Sequence, residues 1–169
     1  MKLISQILHK YRTALASDFL AYHNHCQRVY QYAITLLLMR ESKKLAIAAA
    51  FHDLDIWTGK TMDYLDGSEA LARKYLAEGD FEYLPDEVSF IIQQHHKLRH
   101  IKGNIEAEAF RKADLIDLTG GLIKFNLPKS LIIEAEQQFP REEFTKLITR
   151  KTLQHAWRHP GNPLPMVKW

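Results

Sequence analysis

The sequence predicts an all-α fold: a single bundle-like domain of about seven or eight helices. Three observations predict it. Apolar residues recur at spacings of three and four along most of the chain. No segment alternates apolar and polar residues over the length of a strand. Glycine and proline, seven and six in 169 residues, fall mainly between the periodic segments.

Taken in order, Leu3, Ile7, Leu8, Tyr11 and Leu15 form a first amphipathic stripe. Tyr22, Val29, Tyr32, Ala33 and Leu36 form a second. Leu45, Ala48 and Ala49 lead a third that ends near Asp53. Residues 54–67 carry Gly59, Gly67 and no sustained stripe, so mostly loop is expected. Ser68 is placed as the N-cap of a helix over Glu69–Glu78, with Gly79 as its stop. Pro85 suits the first turn of a helix running to about His100. Gly103-Asn104 breaks it. A further helix runs from about Ile105 to Leu118 and ends at Gly120-Gly121. Pro128 and Pro140 open two more, and the tail from Pro160 is expected to be irregular. The expected domain is 1–169, with C-terminal helices over about 128–158.

Composition narrows the function classes. With 23 Lys+Arg against 20 Asp+Glu the net charge is +3, and no basic run accompanies it, so no nucleic-acid polymer is indicated. The 46% apolar and 25% charged content is that of a folded globular chain. Apolar runs such as Leu36–Met39 and Leu45–Phe51 fall far short of the ~20 residues of a membrane span. The first ten residues lack the apolar stretch of a signal peptide. The single cysteine, Cys26, excludes an internal disulfide and thiolate zinc sites of the finger or ribbon type, and a reducing cytoplasm is the expected compartment.

Nine histidines are the unusual feature. His25 shares a face with Tyr22, Val29, Tyr32 and Leu36. His52, with Asp53 beside it, continues the stripe of Leu45, Ala48 and Ala49. His95 falls among Val88, Ile91, Ile92 and Leu98. Asp114 shares a face with Ala107, Phe110 and Leu118. Alone, His25 or His95 reads as a core residue with a satisfied hydrogen bond, Asp114 as a cap or the partner of an arginine, and His52-Asp53 as a dipeptide common by chance. Together they send three imidazoles and two carboxylates inward from four helices, a pattern that helix bundles use for metal sites. His9, His23, His100, His155 and His159 lack such support and are assigned to surface or loop.

The order of these residues resembles the HD-domain superfamily of metal-dependent phosphohydrolases. Four segments carry the likeness: His25-Cys26-Gln27-Arg28-Val29, Ala48-Ala49-Ala50-Phe51-His52-Asp53-Leu54, Ile91-Ile92-Gln93-Gln94-His95-His96 and Lys112-Ala113-Asp114-Leu115-Ile116-Asp117. They cover about residues 20–125. The resemblance implies His25, His52, Asp53 and Asp114 as metal ligands, with Asp117 the rival for the last place. It also implies that His95 ligates a second metal or contacts substrate phosphate, with His96 its less inward neighbour. Two-metal members carry a further histidine between the His-Asp pair and the later histidines, and residues 54–94 contain none. One ion is therefore expected. The guanosine tetraphosphate hydrolases place two acidic residues soon after the pair. Here Leu54-Asp55-Ile56-Trp57 follows, which does not support that substrate.

Two histidines and two carboxylates suit one divalent ion of Mn, Fe, Co, Ni, Zn or Mg. Such an ion supports hydrolysis of a phosphoester or phosphoanhydride in a small phosphorylated metabolite, with a nucleotide as the favoured example. Asp53, Asp55 or Glu69 is the expected proton acceptor, and His95 the phosphate contact or proton donor. Arg28, His96, Lys97, Glu69 and Lys112 are candidate substrate contacts. Trp57, Tyr64, Phe81 and Tyr83 are candidates to stack on a base. A non-catalytic metal- or nucleotide-binding module is the alternative, and a di-iron oxygenase a third reading that the missing histidine weighs against. A homo-oligomer is allowed, with the helices after Pro128 as a possible face.

Overall fold

A computed structural model describes residues 2–79 and 84–168. Among them the fold is all-helical. The helices are α1 (Lys2–Lys10), α2 (Arg12–Leu15), α3 (Phe19–Leu36), α4 (Lys43–Phe51), α5 (Asp55–Thr58), α6 (Leu65–Ala77), α7 (Pro85–Gln94), α8 (Ile105–Leu118), α9 (Lys129–Gln138) and α10 (Phe144–Arg158). No helix among the described residues is long and apolar enough to cross a membrane.

Local chemistry accounts for the ends. Ser42 Oγ accepts the Leu45 amide at 3.2 Å and opens α4. Asn104 Oδ1 accepts the Ala107 amide at 2.9 Å and opens α8, so the residue expected only to break a helix starts one. Pro85 occupies the first turn of α7, followed by Asp86 and Glu87, which suit the positive end of the helix dipole. Gly120 and Gly121, at φ +62° and +75°, take the left-handed conformation that ends α8.

Helix α4 is buried along Leu45–Phe51, as an apolar helix without a polar face must be. α1, α3, α6 and α7 pack around it, and α8 packs along α3. One buried apolar cluster includes Ile4, Val29, Phe51, Ile92, Phe110 and Phe144.

Four features differ from expectation. α5 interrupts the expected 54–67 loop, and α6 begins at Leu65, three residues before Ser68. Ser68 does not cap: it is buried within α6, and its hydroxyl accepts the Asp55 amide at 3.1 Å. Tertiary packing thus uses a residue whose type favours a cap. α7 stops at Gln94 rather than near His100, and α10 starts at Phe144, after Glu143 in left-handed conformation.

Candidate metal centre

The site is built from matched spacings. His25 and Arg28 stand three apart on α3. Asp114 and Asp117 stand three apart on α8. Side chains three apart share a helix face, so the two pairs meet where α3 packs on α8. Asp117 takes the outer position: its Oδ2 accepts from His25 Nδ1 at 2.7 Å. Arg28 donates to both its oxygens, Nε to Oδ1 at 2.6 Å and Nη2 to Oδ2 at 2.9 Å. These donors hold the Asp117 carboxyl well below the usual range against the cost of burial. Asp117 is thus engaged behind the ligand, and Asp114 faces inward. Asp114 Oδ1 lies 3.5 Å from His25 Nε2 and 3.8 Å from His52 Nε2.

His52 and His95 each lie one residue past a helix end, not within a stripe. Each ring turns Nδ1 back to the carbonyl three residues earlier: His52 to Ala49 at 2.9 Å, His95 to Ile92 at 2.6 Å. A carbonyl only accepts, so both rings carry the proton on Nδ1. That proton leaves the lone pair of a neutral ring on Nε2. Carbonyls at helix ends lack an intrahelical partner, and the rings satisfy two of them.

The inner atoms converge. His25 Nε2 and His52 Nε2 are 3.0 Å apart. Asp53 Oδ2 is 3.5 Å from His52 Nε2 and 3.9 Å from His25 Nε2. Asp53 Oδ1 is 3.2 Å from His95 Nε2. Asp53 Oδ1, His95 Nε2 and Asp114 Oδ1 are buried and have no partner in hydrogen-bonding geometry. Buried polar atoms left unpaired are costly, and a cation bound beside such atoms offsets that cost. Two groups have ligand atoms close enough to hold an ion, His25-His52-Asp53 and Asp53-His95-His96, joined through Asp53. The donor set of imidazole nitrogen and carboxylate oxygen fits a divalent ion.

Burial and mutual charge sort the protons. Burial, reinforced by the neighbouring His25 and His95, pushes His52 down to about 3 despite Asp53. Burial alone would raise Asp53, but His52, His95 and His96 hold it low. Burial pushes Asp114 up, and the charges of Asp53 and Asp117 add to it. Burial opposes protonation of His95, and its contact with Asp53 more than offsets this.

Several of the remaining candidate residues are engaged elsewhere in the protein. Arg28 is fully buried. Besides Asp117 it donates to the Phe139 and Pro140 carbonyls at 2.7 and 3.0 Å, so it is a structural cation and not a substrate contact. Asp55 is held by Thr58 Oγ1 at 2.6 Å and wedged against Gly59 and Gly67. Glu69 accepts from Arg73 Nε at 2.8 Å and Gln93 Nε2 at 2.7 Å. Neither carboxylate pairs with a cluster histidine. Lys97 is half-buried and Lys112 lies 3.5 Å from Glu108, and neither is paired with the cluster. Trp57 and Tyr64 are buried and pack instead of standing free to stack. Trp57 Nε1 donates to Asp18 at 2.9 Å, and the Tyr64 hydroxyl shares a 2.6 Å hydrogen bond with His96 Nε2. Phe81 and Tyr83 lie outside the described residues. His96 keeps 19% side-chain exposure, and its Nδ1 is 3.9 Å from Asp114 Oδ2.

Sequence reasoning missed three contributors. Phe144, at the start of α10, stacks on His25 with ring centroids 3.9 Å apart. Tyr22 accepts the Asp53 amide at 3.3 Å and donates to the Ala50 carbonyl at 3.1 Å. Arg141 donates to the Asp117 carbonyl at 2.5 Å. Tyr22 sat on the same predicted face as His25, which was the available signal. The other two had none, because their segment is distant in sequence. No family model, curated protein or solved structure matches the chain.

Proposed function

We propose that the chain is a metal-dependent phosphohydrolase of the HD type, acting on a small phosphorylated metabolite such as a nucleotide. The observation that carries the reading is the pair of facing Nε2 atoms of His25 and His52, 3.0 Å apart, with the orphaned Asp53 and Asp114 oxygens beside them. His25, His52, Asp53 and Asp114 would hold one divalent ion. When bound, the ion supplies a Lewis acid for a phosphoryl oxygen and acidifies water.

The chain's own groups do the remaining work. Asp117 and the Ala49 carbonyl fix the orientation of His25 and His52, leaving each Nε2 to the ion. Protonated on Nε2 as well as Nδ1, His95 would aim that proton at Asp53 Oδ1, 3.2 Å away, where it suits a leaving oxygen. Phe144 and Tyr22 exclude water from the inner side. His96 marks the edge nearest solvent, where a phosphate would enter. The Asp53-His95-His96 group offers room for a second ion, so stoichiometry is part of the test.

The burial of His25, His52, Asp53 and Asp114 favours one alternative, a metal-binding module without turnover. Metal analysis of protein purified without chelator, followed by a panel of nucleotides and phosphomonoesters with Mn²⁺, Co²⁺ or Ni²⁺, separates the readings. Bound metal with phosphate release supports the hydrolase. Bound metal without turnover on any substrate supports the module. Two irons per chain favours redox chemistry, and no bound metal removes all three.

A further inference from the structure

Away from the cluster, a cavity of about 710 Å³ lies between α10, the α5–α6 connection and the tail. Lys151, His155 and Arg158 line it from one face of α10, at spacings of four and three. Lys60 and His159 also line it, and Asp63 is its one acidic lining residue. Lys60, Lys151 and Arg158 have no carboxylate partner among the described residues. Lys151 instead lies 5.7 Å from the centre of the Trp57 ring. Ile56, Met62 and Pro165 add an apolar wall.

Like charges facing one space repel one another and concentrate an anion there. The volume falls within the ~300–1,000 Å³ of small-molecule sites. We propose that this cavity binds an organic phosphate of nucleotide size, distinct from whatever enters the metal cluster. The phosphates meet Lys60, Lys151 and Arg158, and the flat or apolar body lies against Ile56, Met62 and Pro165. None of the cluster residues lines the cavity. A path nevertheless joins them: Trp57 packs on Tyr22 at 4.7 Å, and Tyr22 accepts the Asp53 amide.

Isothermal titration calorimetry with ATP and with inorganic triphosphate, both in EDTA, tests this without involving the cluster's metal. Binding of both is expected, with ATP the tighter because its body meets the apolar wall. Arg158→Ala and Lys151→Ala should each weaken it about tenfold, the loss of one charge-assisted contact. Arg158 is exposed and unpaired, so its removal leaves the fold intact. His52→Ala, if folded by circular dichroism, should bind as wild type does. The proposal is overturned by absence of binding at millimolar probe, or by loss in His52→Ala with retention in Arg158→Ala. Binding of phosphatidylserine vesicles without binding of either free phosphate would also overturn it.

Discussion

His25 Nε2 and His52 Nε2 face each other at 3.0 Å while both Nδ1 atoms are turned outward, to Asp117 and to the Ala49 carbonyl. With Nδ1 donating on each ring, two lone pairs meet in a buried space. That arrangement is unfavourable unless a cation or a shared proton lies between them.

A divalent ion should therefore stabilise the fold. Adding Mn²⁺ or Co²⁺ to chelator-treated protein should raise the melting temperature, by the equivalent of about 2.7 kcal/mol at a hundredfold excess over Kd. His52→Ala and Asp114→Asn should abolish that shift. Differential scanning calorimetry with and without metal reads it, and an undiminished shift in His52→Ala would remove His52 from the ligand set.

Asp117 acts behind His25 rather than as a ligand. Asp117→Asn should weaken metal affinity roughly 10–100-fold without abolishing it, as loss of an orienting carboxylate does elsewhere. Competition with a chromogenic chelator measures this. Complete loss would make Asp117 a direct ligand.

Arg28 should behave as a core residue. Arg28→Ala leaves Asp117 charged and buried, at a cost of about 3–5 kcal/mol. Arg28→Ala combined with Asp117→Asn should recover part of it. Denaturant unfolding of the two singles and the double gives the coupling. A stable Arg28→Ala protein with a raised KM alone would return Arg28 to the substrate.

Gly67 tests the placement of Asp55. A Cβ on Gly67 would come within 1.9 Å of Asp55 Oδ2. Alanine normally gains about 1 kcal/mol over glycine inside a helix. Here Gly67→Ala should destabilise, and in an Asp55→Ala background it should become neutral or stabilising. Thermal melts of the four proteins close the cycle.

Glu108 supplies a pH-dependent contribution. Arg111 holds it at 2.8 Å through both oxygens, and the Ile101 amide and His100 each donate at 3.0 Å. Burial opposes ionisation, but these donors push its pKa well below the usual range. A depressed carboxylate stabilises fully above its unfolded value of about 4.3 and loses that contribution as pH falls through the folded value. Glu108→Gln should cost about 2 kcal/mol at pH 7. The gap between the two proteins should close on acidification below about pH 4, followed by urea unfolding.

Much of the fold was legible from periodicity. The stripes of α1, α3 and α8 were read directly, as were the stops at Gly120-Gly121 and the start at Pro85, because caps and amphipathic faces are local properties. The helix over Leu65–Ala77 was misplaced at its start because Ser68 favours a cap by type and is buried by context. His25 and Asp114 were legible because an inward-facing histidine or aspartate on an apolar stripe is conspicuous one helix at a time, whereas His52 and His95 lie just past the ends of the stripes that pointed to them.

What the sequence by itself determined was the helical class and the set of residues turned inward: His25, His52, Asp53, His95 and Asp114. What only the tertiary structure decided was how they divide. It put Asp117 behind His25 and Asp114 in front, took Arg28 out of the site, and brought Phe144 over His25 from more than a hundred residues away. Spacing of three places both aspartates on one face of α8. Which of them points at the histidines depends on the packing of α8 against α3, and that is set by both helices together.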